Sequence, residues 1–367
     1  RWLDRPPAPA YQQALDLLKR CEAAHATGTG GWQLTPHGEA MAAMPLHPRL
    51  ANMLLQGAEL GLAPLASRLA AVLGERNPQP GAGVDVLRRL AWLQPGAELP
   101  RQLRGWRERV QGQERRSRQA LAGGNTVAAI ADEAAAAGVL LALAFPDRVA
   151  KRRAACVYQL ANGRSARLDD TDPLVNSEWL AVAELGGRAG QAEDRIFSAV
   201  ALDAAYFQDL LAQQVELTEQ VRWDARQGRI LAERRCMVGA LQLSASPLER
   251  PPLASLQAAQ REMLAQCGLD SLPWSDALRQ WQARVELLHR AIGDPWPDLS
   301  DEALQANLCQ WLLPYLAGIT HPVALKKLDL TALLAQQLPW PLPRQLDELA
   351  PRRIQVPSGS SIQLDYR

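Results

Sequence analysis

Between Leu34 and Leu54 the prolines dictate where helices begin and end, and no other stretch of the chain constrains the fold as tightly. Thr35 is placed to cap a helix whose first residue is Pro36, where the missing amide costs nothing and φ is already helical. Pro45 stops that helix, because its ring clashes one turn back and it cannot donate. A second helix restarts at Pro48. With Trp32-Gln33-Leu34 read as a strand before them, the two helices make a winged-helix-like fragment. His37 and His47 fall at the helix-starting turns, where an imidazole can serve as a local hydrogen-bond partner.

Similar punctuation organises the rest. Pro6-Pro7-Ala8-Pro9 reads as a linker, and Ala14, Leu17, Leu18 and Cys21 form a helical stripe before the Thr27 to Gly31 turn. From Leu62 to Phe145 the pattern is helical, with breaks at 77–81, 94–96 and 123–125. Leu99, Leu103, Trp106 and Val110 align on one helix face. Asp132-Glu133 reads as an acidic first turn complementing a helix dipole.

After Arg153 the periodicity alternates. Cys156 to Leu160, Ser165 to Leu168, Glu178 to Leu185, Arg195 to Leu202, Gln220 to Asp224 and Ile230 to Met237 are strand-like, Asn162-Gly163 signals a hairpin, and Asp203 to Gln213 predicts a helix. Short strands with an inserted helix suit an OB-like barrel. Ser246 to Pro252 reads as a linker. Helices are then expected over 254–268, 275–292, 301–316 and 329–337, with Leu304, Leu308, Trp311, Leu312 and Tyr315 as one buried stripe. Trp274, Trp281, Trp296 and Trp340 read as core. Arg353 to Val356 and Ser361 to Tyr366 read as a closing hairpin, after which more sequence is expected.

The 40 Lys and Arg balance 39 Asp and Glu, so any nucleic-acid site must be local. Between Leu99 and Arg153 there are eleven Lys/Arg against five Asp/Glu, the one basic region. Arg101, Arg104, Arg107, Arg148, Lys151, Arg152 and Arg153 are therefore the candidate nucleic-acid-binding residues, because guanidinium forks suit phosphate. Arg148 is also a possible structural partner of Asp147. From Ala154 to Leu243 nine Lys/Arg face thirteen Asp/Glu, which confines a barrel site to its 148–153 edge and makes Trp179 and Trp223 core residues.

Catalytic and metal constellations are not expected. None of Lys19, Lys151, Lys326 and Lys327 follows Gly or precedes Ser/Thr, so no P-loop is present. There is no HExxH and no GxSxG, and Asp169-Asp170-Thr171-Asp172 lacks the remaining ligands of a Ca²⁺ loop and reads as a solvated turn. Five dispersed cysteines without CxxC suggest neither zinc nor disulfides, and a reducing cytoplasm is expected. The longest apolar run, Ala134 to Phe145, is too short to span a bilayer, and no membrane partner is expected.

Four passages together resemble bacterial HrpB-type, DEAH-box ATP-dependent RNA helicases. They are Leu34 to Leu54; Phe145-Pro146-Asp147-Arg148-Val149-Ala150-Lys151-Arg152-Arg153; Tyr158 to Gly163 with Asp169 to Pro173 and Glu178-Trp179-Leu180; and Leu346 to Pro351 running into Val356 to Ser360. The resemblance implies a multi-domain α+β accessory region. Its expected parts are a winged helix (1–60), a helical ratchet bundle (61–145), an OB-like barrel (146–245) and a C-terminal helical domain ending in a hairpin (246–367). It further implies that the RecA-like motor domains of the same polypeptide, absent here, would hold ATP and Mg²⁺, and that this region, with no catalytic motor and no cofactor of its own, guides single-stranded RNA. DNA in place of RNA, and a protein-docking role without nucleic acid, remain open.

Overall fold

The computed structural model describes residues 6–28, 30–74, 83–92, 130, 132–187, 193–357 and 359–367. The predicted 99–110 helix face, with Arg101, Arg104 and Arg107, lies outside them. The chain forms two compact units, Arg1–Leu217 with Cys236–Ser244, and Thr218–Arg235 with Ala245–Arg367.

In the first unit, helix α1 (Ala8–Arg20) leads into a small antiparallel pair, β1 (Ala24–Ala26) and β2 (Trp32–Leu34). The Thr35 hydroxyl accepts from the Gly38 amide at 2.9 Å and donates to the Glu22 carbonyl at 2.6 Å, starting α2 (Pro36–Ala42). That helix ends before Pro45. Helix α3 (Pro48–Glu59) restarts where expected, its first turn capped by His47 Nδ1 accepting from the Arg49 amide at 3.2 Å. His37 Nε2 lies 2.8 Å from Asn52 Oδ1.

Helices α4 (Ala63–Gly74), α5 (Val86–Trp92) and α6 (Glu133–Ala144) follow. Every residue of α6 from Ala136 to Ala144 is buried, so it is apolar all round, as a central core helix must be. Asp132 caps it through a 2.7 Å bond from the Ala135 amide, and Glu133 pairs with Arg68 at 2.8 Å. Gly138 lets its backbone approach the sheet, because a Cβ there would stand 2.6 Å from the Ala201 carbonyl oxygen.

Strands β3 (Val149–Ala154), β4 (Val157–Leu160), β5 (Ser165–Arg167), β6 (Trp179–Gly186) and β7 (Glu193–Ala201) close a barrel in the order β3-β4-β5-β7-β6. Only the β5–β7 pair is parallel among its contacts. Ala150, Tyr158, Leu160, Leu168, Leu180, Val182 and Ile196 fill its interior. Gly163 takes φ +88° in the predicted hairpin, and Trp179 is buried beside Phe207, as a core residue should be. β3 was not expected from its run of basic residues. Asp203 to Gln213 also departs from expectation: it makes two 3₁₀ turns, Ala204–Gln208 and Ala212–Gln214. Asp203 and Asp209 bond the nearby Ala205 and Leu210 amides, which competes with helical pairing.

Strands β8 (Glu216–Asp224), β9 (Arg229–Val238) and β10 (Leu241–Pro247) form a sheet in the order β10-β9-β8, its residues divided between the units. β10 too was unforeseen.

The second unit holds α7 (Leu253–Cys267), α8 (Asp276–Ile292), α9 (Asp301–Ala306), α10 (Leu308–Trp311), α11 (Pro322–Leu325), α12 (Leu330–Ala335), α13 (Leu342–Leu349) and a hairpin of β11 (Arg353–Gln355) and β12 (Ser361–Gln363). The predicted 301–316 helix is broken, and Pro314 lies in a 3₁₀ turn because it cannot continue an α-helical ladder. Leu304, Leu308, Trp311 and Leu312 are buried, but Tyr315 faces solvent with its hydroxyl on Gln336. Trp296 is core. Trp340, expected there as well, is 78% exposed. Among the described residues no helix is long and apolar enough to cross a membrane.

Candidate nucleic-acid interface

Arg49 and Asn52 stand three residues apart on α3 and so share a face. That face meets the end of α6. Asn52 Nδ2 donates to the Leu143 carbonyl at 2.7 Å, and Arg49 grips the Asp147 carboxylate with both terminal nitrogens, at 2.5 and 2.9 Å. The Phe145 ring has guanidinium carbons of Arg49 and of Arg148 each 5.2 Å from its centroid. The turn Phe145-Pro146-Asp147-Arg148 thus closes onto Pro48-Arg49 and Asn52. The Asp147 carbonyl also accepts from the Asn162 amide at 3.1 Å, tying this clasp to the β4–β5 hairpin.

The electrostatics follow from this burial. Burial alone would push the Asp147 carboxyl up, but hydrogen bonding and charge from Arg49, with the charge of Arg148, outweigh it and hold the group below its ordinary value. Arg148 is pushed down from the usual guanidinium range by burial first and by Arg49 second. His47 is lowered by burial, then by Arg49 and Arg148.

Arg148 therefore does not pair with Asp147; it donates to the Ala183 carbonyl on β6. Lys151 extends from β3 over the Trp179 ring, 4.9 Å from its centroid, and donates to the Gln242 carbonyl at 3.0 Å. Arg152 donates to the Val175 carbonyl at 2.8 Å, and Arg153 Nε to Gln159 Oε1 at 2.6 Å. Alternation along the strand puts Lys151 and Arg153 on one side and Arg152 on the other, with a register shift between Arg152 and Ala154.

The four residues are thus not one patch. Arg148 lies in a groove of about 740 Å³ with Arg20, Arg49 and Arg164, while on β3 Lys151 is half-buried and Arg152 and Arg153 are exposed. None of the four predicted residues has an ion pair among the described residues. Sequence reasoning missed Arg49, Asn52 and the role of Asp147; their only sequence signal was proximity to the prolines at 48 and 146. Asp169 to Asp172 is a hydrogen-bonded turn, with Asp169 accepting from Thr171 and Asp172 capping Leu174. Among the described residues no cluster of three or more His, Cys, Asp or Glu could hold a metal.

Two family models match: "ATP-dependent RNA helicase HrpB, connector region" over residues 214–248, and "ATP-dependent helicase C-terminal" over 311–367. The ATP-dependent RNA helicase HrpB of Escherichia coli K12 is 33% identical over 367 residues, all of this chain and 42% of that protein. This chain resembles the C-terminal portion of an HrpB helicase from end to end. The crystal structure of the E. coli DExH-box NTPase HrpB matches with TM-score 0.53 at 31% identity, covering the whole chain and 43% of that one. A second crystal structure, of the Escherichia coli DEAH/RHA helicase HrpB, gives TM-score 0.50 at 29% identity over the same shares. The chain spans less than half the length of these HrpB relatives, and the likeness indicated by the four motifs extends to the mixed α+β architecture with its closed five-stranded barrel.

Proposed function

We propose that this chain is the post-motor region of an HrpB-type RNA helicase, holding single-stranded RNA while RecA-like motor domains of the same polypeptide hydrolyse ATP. The observation that carries the reading is the basic strand β3: Lys151 and Arg153 on one side of it and Arg152 on the other have their charged heads held by neutral oxygens rather than carboxylates. Such charge is available to phosphate. The barrel's strand order, with β5 and β7 parallel, supports the OB-like reading for β3 to β7, and we further propose the four-part division at 60, 145 and 245. Arg101, Arg104 and Arg107 are proposed to extend the same basic surface.

The reading assigns no ATP or Mg²⁺ site to this chain, whose sequence contains no P-loop to surround the phosphates. They belong to the motor domains of such helicases. Fluorescence anisotropy of a labelled single-stranded RNA across a salt series tests the reading. Binding should weaken linearly on a log–log scale, and Lys151→Gln with Arg153→Gln should each reduce the slope by roughly 0.7. An RNA that does not bind at low salt would leave the protein-docking reading in its place. Equal affinity for DNA of the same sequence would show that phosphates alone are read.

A further inference from the structure

The groove beside the clasp is built from five parts of the first unit. Its walls come from α1, Arg49 of α3, the turn holding Asp147 and Arg148, the β4–β5 hairpin with Asn162 and Arg164, and the facing ends of β6 and β7. Four arginines line it, Arg20, Arg49, Arg148 and Arg164, and Arg49 is already bound to Asp147.

Their partners leave a local shortage of negative charge. Three carboxylates influence Arg148: Asp147, Glu184 and Asp194. Each is already engaged by another arginine, Asp147 by Arg49, Glu184 by Arg89 at 3.6 Å and Asp194 by Arg164 at 2.9 Å. Arg148 itself is half-buried, and among the described residues it is bonded only to a carbonyl and a ring face. Arg20 has neither a hydrogen bond nor an ion pair among the described residues. The remaining groove carboxylate, Asp16, accepts from Gln12 at 2.9 Å, one turn away on the same helix.

We propose that this groove binds a phosphate oxyanion between Arg148 and Arg20, with Arg164 at its rim. A planar guanidinium fork matches two phosphate oxygens at once, and forks supplied by separate elements would fix the anion's position as well as its charge. A groove of about 740 Å³ has room for a ligand larger than a lone phosphate. Two sources share this chemistry, a free phosphorylated metabolite and the backbone of a single strand. The site stands whether or not the β3 edge binds RNA.

Calorimetric titration of the whole chain with inorganic phosphate, at constant ionic strength and with chloride as reference, tests it. Phosphate should bind specifically. Losing one charge-assisted contact should weaken it by roughly tenfold in Arg20→Gln and at least as much in Arg148→Gln. Asp16→Asn, which removes the competing charge, should tighten it several-fold, and Lys327→Gln, at an exposed lysine of the second unit, should leave it unchanged. Arg20 and Asp16 are exposed helix residues, so their variants decide the matter even if Arg148→Gln fails to fold. Heats no different from chloride, or an affinity indifferent to Arg20→Gln and Asp16→Asn, would overturn the site and make Arg148 a structural contact alone. Displacement of bound phosphate by an oligoribonucleotide would identify the source as a backbone. Phosphate binding without displacement would identify it as a small ligand, and would leave the β3 reading of RNA to its own salt series.

Discussion

Removing Asp147 should damage the first unit far more than its place in a turn suggests. Arg49 is 8% exposed, and the Asp147 side chain 22%. In Asp147→Ala the guanidinium stays buried without its carboxylate, which costs about 3 to 5 kcal/mol for a fully buried pair; the partial exposure of Asp147 lets water relieve some of this, giving about 3 kcal/mol. Arg49→Met keeps the apolar stem but removes the guanidinium from Phe145 and leaves the partly exposed carboxylate unpaired, for about 2 kcal/mol. The double variant leaves neither charge stranded. It should cost no more than Arg49→Met alone, giving a coupling energy of about 3 kcal/mol.

Urea titrations of the two singles and the double, read with hydrogen exchange of α3 and α6 amides, would measure the cycle. Additive single costs, with a coupling below about 0.5 kcal/mol, would refute the clasp as the joint between these elements. Acid supplies an independent check. The folded Asp147 carboxyl lies below its ordinary value of 3.8, so its contribution is present above that pH and is lost as pH falls through the lower folded value. Wild type should therefore lose stability relative to Asp147→Asn on acidification below about pH 4, and a constant difference down to pH 2 would contradict the argument.

Other outcomes are equally specific. Gly38→Ala should destabilise by about 3 kcal/mol or more, because its Cβ would stand 1.9 Å from the Ala23 carbonyl oxygen; Gly74→Ala, with open space around it, should be neutral or stabilising in the same melt. Cys21 is buried and its thiol is pushed up to about 11, mainly by that burial, so iodoacetamide should label exposed Cys309 in the native chain and spare Cys21 by peptide mass mapping. Brief proteolysis should cut at exposed Glu249-Arg250, yet the second unit should remain whole by gel filtration, since Trp223 bonds Gln266 and Ile230 bonds Thr320 across the cut.

What was legible in the sequence was what neighbouring residues decide. Thr35 and Pro36 specify a helix start through atoms within one turn, and the structure places the cap there. Ser275 and Asp329 do the same for α8 and α12. Alternation revealed β4 to β7 because each has an interior face of apolar residues, Tyr158 among them. β3 concealed itself: only Val149 and Ala150 are buried, and the remaining positions are basic or exposed at the rim. The Asp203 to Gln213 segment has apolar residues at helical spacing, but carboxylates that bond adjacent amides override that weak preference. The clasp was the hardest case, since Arg49 and Asp147 are 98 positions apart and an ion pair imposes no period on either stretch. Both stretches had been singled out as motifs, one as a pair of proline-started helices and the other as a basic edge. The fold joins them at Phe145, whose ring has both Arg49 and Arg148 within 5.2 Å of its centroid, and Arg49 rather than Arg148 pairs with Asp147. That pairing is what leaves Arg148 without a carboxylate partner at the groove.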